Sequence, residues 1–494
     1  MMKSDRIPAL LFLTPSGRGN KGDDSMYEVT RLRFKQQFGL IRSCTLEDRP
    51  VTPEELREAE QGGDDIFFSL QGHLTTGHPL IQRMALLIGG IAVRVAQMIN
   101  FLRGPHRKLQ IPLIRSTVHS VVYGSWLLFN AFLLGRFNRV YLVTPYTRRL
   151  LQLIDDADLI YMVGGSPLNS LYSVAGFYPK ALVFLVGSIF RKPIVLSGQT
   201  IGPFYRPFDR WLARYALNRI AYIAVRDEGI STEILRQLRV SRPTIIEVAD
   251  DAWALEPASP EAVADVLRQE NIERRGLGPL VGITTRFLST ASLDKDGVRD
   301  LFAQVCDQLV ELFDATIIFV PMFVNEDPAF DDRVEAKRIK NRTRNRERIQ
   351  ILQGEYTPEI IKGVLGTVDL GIGTRYHGVL FTLSMSKPAI AITLDEYYTM
   401  KMMGVMRPMG QAHRVLTLKG LVADKVVEQV KEIIQEPPSR LIKELEERGR
   451  SHRQSALTAI RFTIQLLTNA GFKNRAVSLP QTVKVADSMS TVVG

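Results

Sequence analysis

Short apolar runs that stop at a glycine or a polar turn recur along this chain, and that repetition constrains its fold more than any other feature. "PALLFL" ends at Thr14 and Pro15, and the polar turn "SGRGNKGDDS" leads into a helical pattern from Met26 to about Phe38. The same strand-then-turn order returns at "RVYLVTP", "LIYMVGGSP", "PIVLSGQTIGP", "AYIAVRDEG", "IIEVADDAW", "LVGITTRF", "TIIFVPMF", "VDLGIGTRYHG" and "AIAITLDEY", with helical patterns between most of them. Strands that alternate with helices in this way build mainly parallel sheets covered on both faces. A stretch rich in proline, glycine and acidic residues, 255–280, divides the series in two. The predicted fold is therefore α/β with two Rossmann-like domains, over 1–260 and 275–435, followed by C-terminal helices over 436–475 and a loose tail over 476–494. A chain of 494 residues has room for both domains.

Charge is unevenly placed. Between Ile66 and Ile154 there is no Asp or Glu, while Arg83, Arg94, Arg103, Arg107, Lys108, Arg115, Arg136, Arg139, Arg148 and Arg149 supply ten positive charges against a net charge of +11 for the whole chain. Two long apolar stretches, "MALLIGGIAVRVAQMINFL" and "VHSVVYGSWLLFNAFLLG", lie inside that segment. They define a basic-apolar helical insertion at about 66–140 that enlarges the first domain. Two readings stand: a pair of helices buried in the domain, or a hairpin lying in the headgroup region of a membrane with its arginines on anionic phosphates. A true span is the weaker alternative, because Arg94 interrupts the first stretch and Gly, Asn or His the others. No nucleic-acid motif accompanies the charge. Cys44 and Cys306 cannot form a disulfide framework, which fits a reducing, cytoplasmic setting. The apolar core near the N-terminus, only about six residues long, reads as a first strand and not a signal peptide. The run "DDRVEAKRIKNRTRNRERIQ" reads as solvated surface, and no metal-binding constellation is visible.

Ligands of parallel sheets bind beyond the carboxyl ends of the strands, so the residues that follow each apolar run are the ones to watch. "GNKGDD" supplies Asn20, Gly22 and Asp23, where backbone can approach a ligand closely; Asp24 adjoins them. "VGGSPLNSLY" and "SGQTIGPF" supply Gly164, Gly165 and Gln199. In "AVRDEGIS", Arg226 and Asp227 end a strand and Ser231 is placed to cap the next helix. Arginine there can grip a carboxylate or phosphate through two parallel hydrogen bonds, which lysine cannot match. In "GIGTRYHGVL", Gly373 ends a strand, Thr374 is the expected cap, and Arg375 and His377 fall at the N-terminus of a helix, where free N–H groups favour an anion. Arg286 and Lys401 are further candidates.

Taken in order, "GNKGD", "VGG", "GQTIGPF", "VRDEGIS", "VADDAWAL", "GTRYHGVLFTLSMSKPAIAI" and "YYTMK" resemble the polysaccharide pyruvyl transferase family, over residues 19–401. The sequence departs from the family pattern in "GGSPL", in Tyr376 between the arginine and the histidine, and in the insertion at 66–140. The resemblance implies two domains in a GT-B-like arrangement and transfer of pyruvate from phosphoenolpyruvate, as a ketal, to hydroxyls of a sugar in exopolysaccharide or cell-surface polysaccharide. It implies that Arg226 and Arg375 clamp the donor, with Gly373 and Thr374 beside it. It makes His377 the proton donor, to the methylene carbon or to the departing phosphate oxygen, with phosphoenolpyruvate the co-substrate and no cofactor. The acceptor is expected to be a sugar or lipid-linked oligosaccharide, met in the cytoplasm or peripherally at the inner face of the membrane. The rival readings are a GT-B nucleotide-sugar glycosyltransferase, against which the helix "HGVLFTLSMSKP" lacks any glutamate, and a non-catalytic membrane-associated assembly protein.

Overall fold

The first strand is buried along its whole length, and its side chains alternate between two cores: Leu10 and Phe12 enter one, Leu11 and Leu13 the other. A strand buried on both faces needs parallel neighbours and helices above and below. In the computed structural model, residues 7–14, 20–39, 41–47, 65–69, 79–103, 111–227, 229–286 and 294–472 are described. The expected tail at 476–494 lies outside them.

Within the described residues there are two parallel sheets. The first contains β1 (Ala9–Leu13), β2 (Arg42–Glu47), β3 (Asp65–Ser69), β4 (Leu159–Met162), β5 (Gly165–Leu168), β6 (Ile194–Ile201), β7 (Tyr222–Val225) and β8 (Thr244–Glu247). Its spatial order is β3-β2-β1-β4-β6-β7-β8, with β5 added against β6. The second contains β9 (Leu280–Thr284), β10 (Thr316–Phe319), β11 (Ile349–Ile351), β12 (Leu370–Gly373), β13 (Ala389–Thr393) and β14 (Val415–Thr417), in the order β11-β10-β9-β12-β13-β14. In each sheet the chain winds outward one way from the first strand and then reverses to the other side. That leaves a crevice between β1 and β4, and another between β9 and β12, where adjoining loops diverge. Two such sheets flanked by helices are consistent with a GT-B-like two-domain arrangement.

One face of the first sheet shares a continuous core with the second domain; the other is covered by the helices Ile111–Phe137, Pro145–Asp156, Tyr178–Ile189 and Pro207–Leu217. The chain closes the shared side by returning. After the second sheet, the helices Pro438–Ala456 and Thr458–Asn469 cross back to the first domain, where Phe462 stacks on Tyr222 of β7 with ring centroids 4.0 Å apart.

Three local expectations are corrected. "RVYLVTP" is not a strand: Asn138 and Leu142 adopt left-handed backbone (φ 53 for each), and the Tyr141 N–H donates to Asn130 Oδ1 at 2.7 Å, so the run is held as an irregular link to the helix Pro145–Asp156. The helix expected from Met26 starts at Lys21, because the Asn20 side chain caps it and Asp23 and Asp24 favour its first turn. β3, at the start of the expected helical insertion of about 66–140, is instead an edge strand paired with β2, and β2, β11 and β14 have no counterpart in the apolar pattern, since short or half-polar segments carry little apolar signal. The two apolar stretches form the helices Pro79–Arg103 and Ile111–Phe137.

Removing the returning aromatic contact tests how firmly the last helix ties the domains. Phe462→Ala should lower unfolding stability by about 2 kcal/mol, less than the loss of a fully buried aromatic because the position is half-buried. A urea midpoint unchanged from the parent chain would show that the helix contributes nothing to the joint.

Candidate active site

The polar residues at the strand ends converge on the crevice between the two sheets. Arg226 leaves β7 and is buried, where it ion-pairs with Asp250 just beyond β8; its Nε also donates to Thr200 Oγ1 at 3.2 Å. Burial works to raise the Asp250 carboxyl, but the Arg226 cation, and then His377, outweigh it and hold the group well below the usual carboxylate range. His377 lies in the first turn of the helix Tyr376–Ser384, with Nε2 3.7 Å from Asp250 Oδ2. That distance is too long for a hydrogen bond. The buried Nε2 has no hydrogen-bond partner among the described residues.

The position of His377 depends on Gly22. A Cβ on Gly22 would lie 1.9 Å from His377 Nδ1, so only glycine lets the first-domain helix Lys21–Phe38 meet the imidazole. The same helix is tied to the second domain on its other side. The Lys21 N–H donates to the Met322 carbonyl at 2.9 Å, and Lys21 Nζ pairs with Glu355 at 2.8 Å. Asn20 Nδ2 donates to Asp23 Oδ2 at 2.8 Å, which turns that carboxylate within the helix start.

Arg375 occupies the position just before the histidine helix without a capping side-chain bond; it is buried and ion-paired with Asp332. Thr374, the expected cap, instead accepts from the Arg286 N–H at 2.6 Å and donates to the Arg286 carbonyl at 3.1 Å. Those bonds lock the ends of β9 and β12 together at the crevice of the second sheet, which is why Arg286 and Arg375 emerge side by side. The Arg286 guanidinium has no hydrogen-bond or ion-pair partner among the described residues, and its charge acts on Asp332, Arg375 and Lys401. Asp332 opens the helix Asp332–Lys340 and is buried, which corrects the solvated reading of "DDRVEAKRIKNRTRNRERIQ" at that end.

Lys401 completes the group. It sits on the helix Glu396–Met406, which approaches the backbone of Arg226 and Asp227 at Gly404, where a Cβ would stand 3.2 Å from Asp227 Cα. Lys401 Nζ donates to Ser166 Oγ at 2.9 Å and lies 5.3, 5.7 and 5.6 Å from the ring centroids of Tyr376, Tyr397 and Tyr398. Burial lowers its pKa to about 7, and the nearby arginines Arg226 and Arg286 push the same way against Asp23 and Asp250.

Behind these groups Asp251 acts as a brace. It accepts from Ser197 Oγ at 2.7 Å and from the Gly164 N–H at 3.3 Å, joining the middle of β6 to the turn after β4. Burial raises its carboxyl to about 7. Gln199 is fully buried and its Nε2 donates to the carbonyls of Val163 and Ser197 at 2.7 and 2.8 Å. Gly165 opens β5, the strand that carries Ser166. Ser231 does not cap its helix: Gly229 holds that place, and the Ser231 hydroxyl donates to Asp227 at 2.6 Å while accepting from the Ile201 N–H at 2.7 Å. A pocket opens beside Arg226 and Asp250, walled also by Glu247, Trp253, Tyr376 and His452.

Comparison with known proteins was decided by a match to the polysaccharide pyruvyl transferase family model over residues 95–396. The chain belongs to this family. The matched span holds Arg226, Asp250, Asp332, Arg375 and His377 but ends before Lys401 and begins after the Gly22 turn. A curated relative, the amylovoran biosynthesis protein AmsJ of Erwinia amylovora, is 22% identical over 299 residues, which are 59% of this chain and 69% of the relative. Two solved structures share the fold at a TM-score of 0.50. HepE from Anabaena, in complex with UDP-glucose, is 12% identical, with 93% of this chain and 99% of that one covered. A putative UDP-N-acetylglucosamine 2-epimerase from Listeria monocytogenes is 10% identical, with 96% and 100% covered. At family level, the chain is a transferase-like, carbohydrate-active enzyme of polysaccharide biosynthesis.

Two expectations follow from this geometry. Gly22→Ala should displace the imidazole and remove activity while the fold survives, read by turnover alongside circular dichroism; normal turnover would show that His377 need not occupy this place. Because Lys401 loses its proton near pH 7, affinity for sulfate, whose own charge is constant there, should fall as pH rises through about 7. Lys401→Arg should flatten that dependence in a calorimetric titration, and a dependence surviving in the variant would assign it elsewhere.

Proposed function

We propose that this family member transfers pyruvate from phosphoenolpyruvate to a pair of sugar hydroxyls, forming a cyclic ketal. The observation that carries the reading is a linked group of cations: Arg226 and Lys401 stand 4.8 and 5.3 Å from the Tyr376 ring, the charge of Arg286 acts on both Arg375 and Lys401, and Asp250 joins Arg226 to His377. Phosphoenolpyruvate presents a carboxylate and a phosphate on one small carbon frame, so it needs cations from two sides. Arg226 comes from the first sheet, Lys401 is held by a second-domain helix against Ser166 of the first sheet, and Arg286 and Arg375 come from the strand ends of the second sheet. The guanidiniums are pre-oriented by Asp250 and Asp332, which limits the ordering cost of binding.

The π electrons of the enol take a proton from His377 at the methylene carbon, which becomes the methyl group, and leave an oxocarbenium-like centre at C2. A sugar hydroxyl oxygen adds there and gives up its proton, restoring His377. The bond between C2 and the bridging oxygen then breaks, phosphate leaves with that oxygen and the electron pair, and the second hydroxyl closes the ketal. The proton of the second hydroxyl departs with phosphate. Asp250, ionised beside Nε2, offsets the positive charge that the imidazole carries at the start of the cycle.

Positioned proton transfer of this kind contributes about two to four powers of ten in rate. His377→Ala should therefore lose on the order of a hundredfold or more in turnover while donor affinity holds, and near-normal turnover would remove it from the reaction. Arg226→Lys and Arg375→Lys should each weaken donor binding despite the retained charge, because a point charge cannot replace two parallel hydrogen bonds. The direct assay is release of inorganic phosphate from phosphoenolpyruvate on addition of candidate sugars. Consumption of a nucleotide sugar without such release would replace this reading with glycosyl transfer.

A further inference from the structure

The outer side of the first domain carries a surface that the cleft does not use. The helix Pro79–Arg103 packs on the helix Ile111–Phe137, and Leu127 and Ala131 root the second of these in the outer core. Small or inward residues, Ile81, Ala85, Gly89 and Ala96, line the buried side of the first helix. Its other side presents Met84, Leu87, Ile88, Ile91, Val95 and Met98 to solvent, at the three- and four-residue spacing of one helical stripe. Leu87 is 68% exposed, and Phe129 and Phe132 extend the patch onto the second helix. Arg83, Arg94, Arg136, Arg139, Arg148 and Arg149 are exposed beside these residues, in a segment with no acidic side chain from Ile66 to Ile154.

An independent feature lies on the same side. The helix Pro207–Leu217 and the hairpin helix Ile111–Phe137 flank the helix Tyr178–Ile189 on one face of the sheet. That flanking helix exposes Trp211 and Tyr215, stacked at 5.6 Å and 7°, with the Arg219 guanidinium 3.5 Å over the Tyr215 ring and Arg210 and Arg214 exposed nearby. Tryptophan and tyrosine with arginine are the side chains that settle at a bilayer's headgroup level, where a ring can be half immersed and the cation meets phosphate.

We propose that this face docks on the surface of a bilayer containing anionic phosphate headgroups, the hairpin and the Trp211 helix lying in the interface at the inner side of the membrane. Charge selects the occupant. A second copy would bring an acid-free basic surface against its own kind, whereas an anionic leaflet complements it. Packing selects the depth. The helix Pro79–Met98 is long and apolar enough to cross, with a mean hydropathy of 1.4, but it rests on a helix fixed to the domain by Leu127 and Ala131. The turn Ser173–Phe177 touches both that fixed helix and β5, whose Ser166 holds Lys401, so the cleft wall stands one layer from the docking face. On the pyruvyl-transfer reading, a lipid-linked sugar would reach the cleft from this side.

The test uses the full chain in vesicle flotation, with phosphatidylcholine alone and with a third of it replaced by phosphatidylglycerol, across a salt series. The intact chain should float with the anionic vesicles, bind more weakly as salt rises, and be washed off at alkaline pH as an interfacial protein is. Replacing Arg83, Arg94 and Arg136 by glutamine should lower affinity for anionic vesicles at least about tenfold. Trp211→Ala with Tyr215→Ala should weaken binding to both vesicle types, with phosphate release on soluble sugars unchanged. Absence of the intact chain from anionic vesicles at low salt overturns the proposal, as does self-association that covers the patch in sedimentation velocity. Resistance to alkaline extraction overturns the interfacial geometry in favour of a span. A failed phosphate-release assay with normal flotation would strike the reaction and leave the docking face standing.

Discussion

The Asp250 carboxylate is the interaction on which the rest of the cleft depends. It holds Arg226 and stands 3.7 Å from His377 Nε2, so one anion from the first domain pairs with a cation of its own sheet and faces an imidazole of the other domain. Its neighbour Asp251 ties Ser197, within β6, to the turn after β4. Two adjacent carboxylates thus take opposite electrostatic settings. Arg226 keeps Asp250 ionised, while burial pushes Asp251 up to about 7 and suits it to a structural brace.

This arrangement makes the joint between the domains part of the site. The helix Lys21–Phe38 belongs to the first domain by sequence, yet its start bonds to Met322 and Glu355 and leaves room for His377 through Gly22. The helix Glu396–Met406 does the converse, carrying Lys401 from the second domain to Ser166 on β5. Each domain supplies the other with a contact that its own strand ends lack. Binding of an anion between them would add attraction across a joint already closed by backbone hydrogen bonds and by the Tyr222–Phe462 stack.

The two faces of the first sheet divide the work. One merges into the shared core and leads to the cleft; the other carries the outer helices with their exposed arginines, Trp211 and apolar stripe. The split follows from alternation in β1 itself, where neighbouring side chains must point to opposite sides.

Much of this was legible in the residues alone. Apolar runs ending in glycine or polar turns required parallel sheets, and the turns pointed to Arg226, Arg375 and His377, because ligand-facing groups follow strand ends; Arg286 and Lys401 were further candidates, and Lys401 lies inside a helix and not at a strand end. Asp250 and Asp251 stood in the quoted "VADDAW", as an acidic doublet just past a strand, but nothing local said that one would pair with an arginine and the other brace a strand against a turn. Asp332 carried no signal at all, since a residue at the head of a charged helix is ordinarily solvated, and only the fold brings it under Arg375. The same holds for Gly22, whose need for a missing side chain appears only when His377 stands against it, and for the cage of tyrosines around Lys401. Local pattern determined the elements and the chemistry offered at their ends. Pairing, burial and the neutrality of particular groups were decided by tertiary structure, because each depends on partners that the chain separates by tens to hundreds of residues.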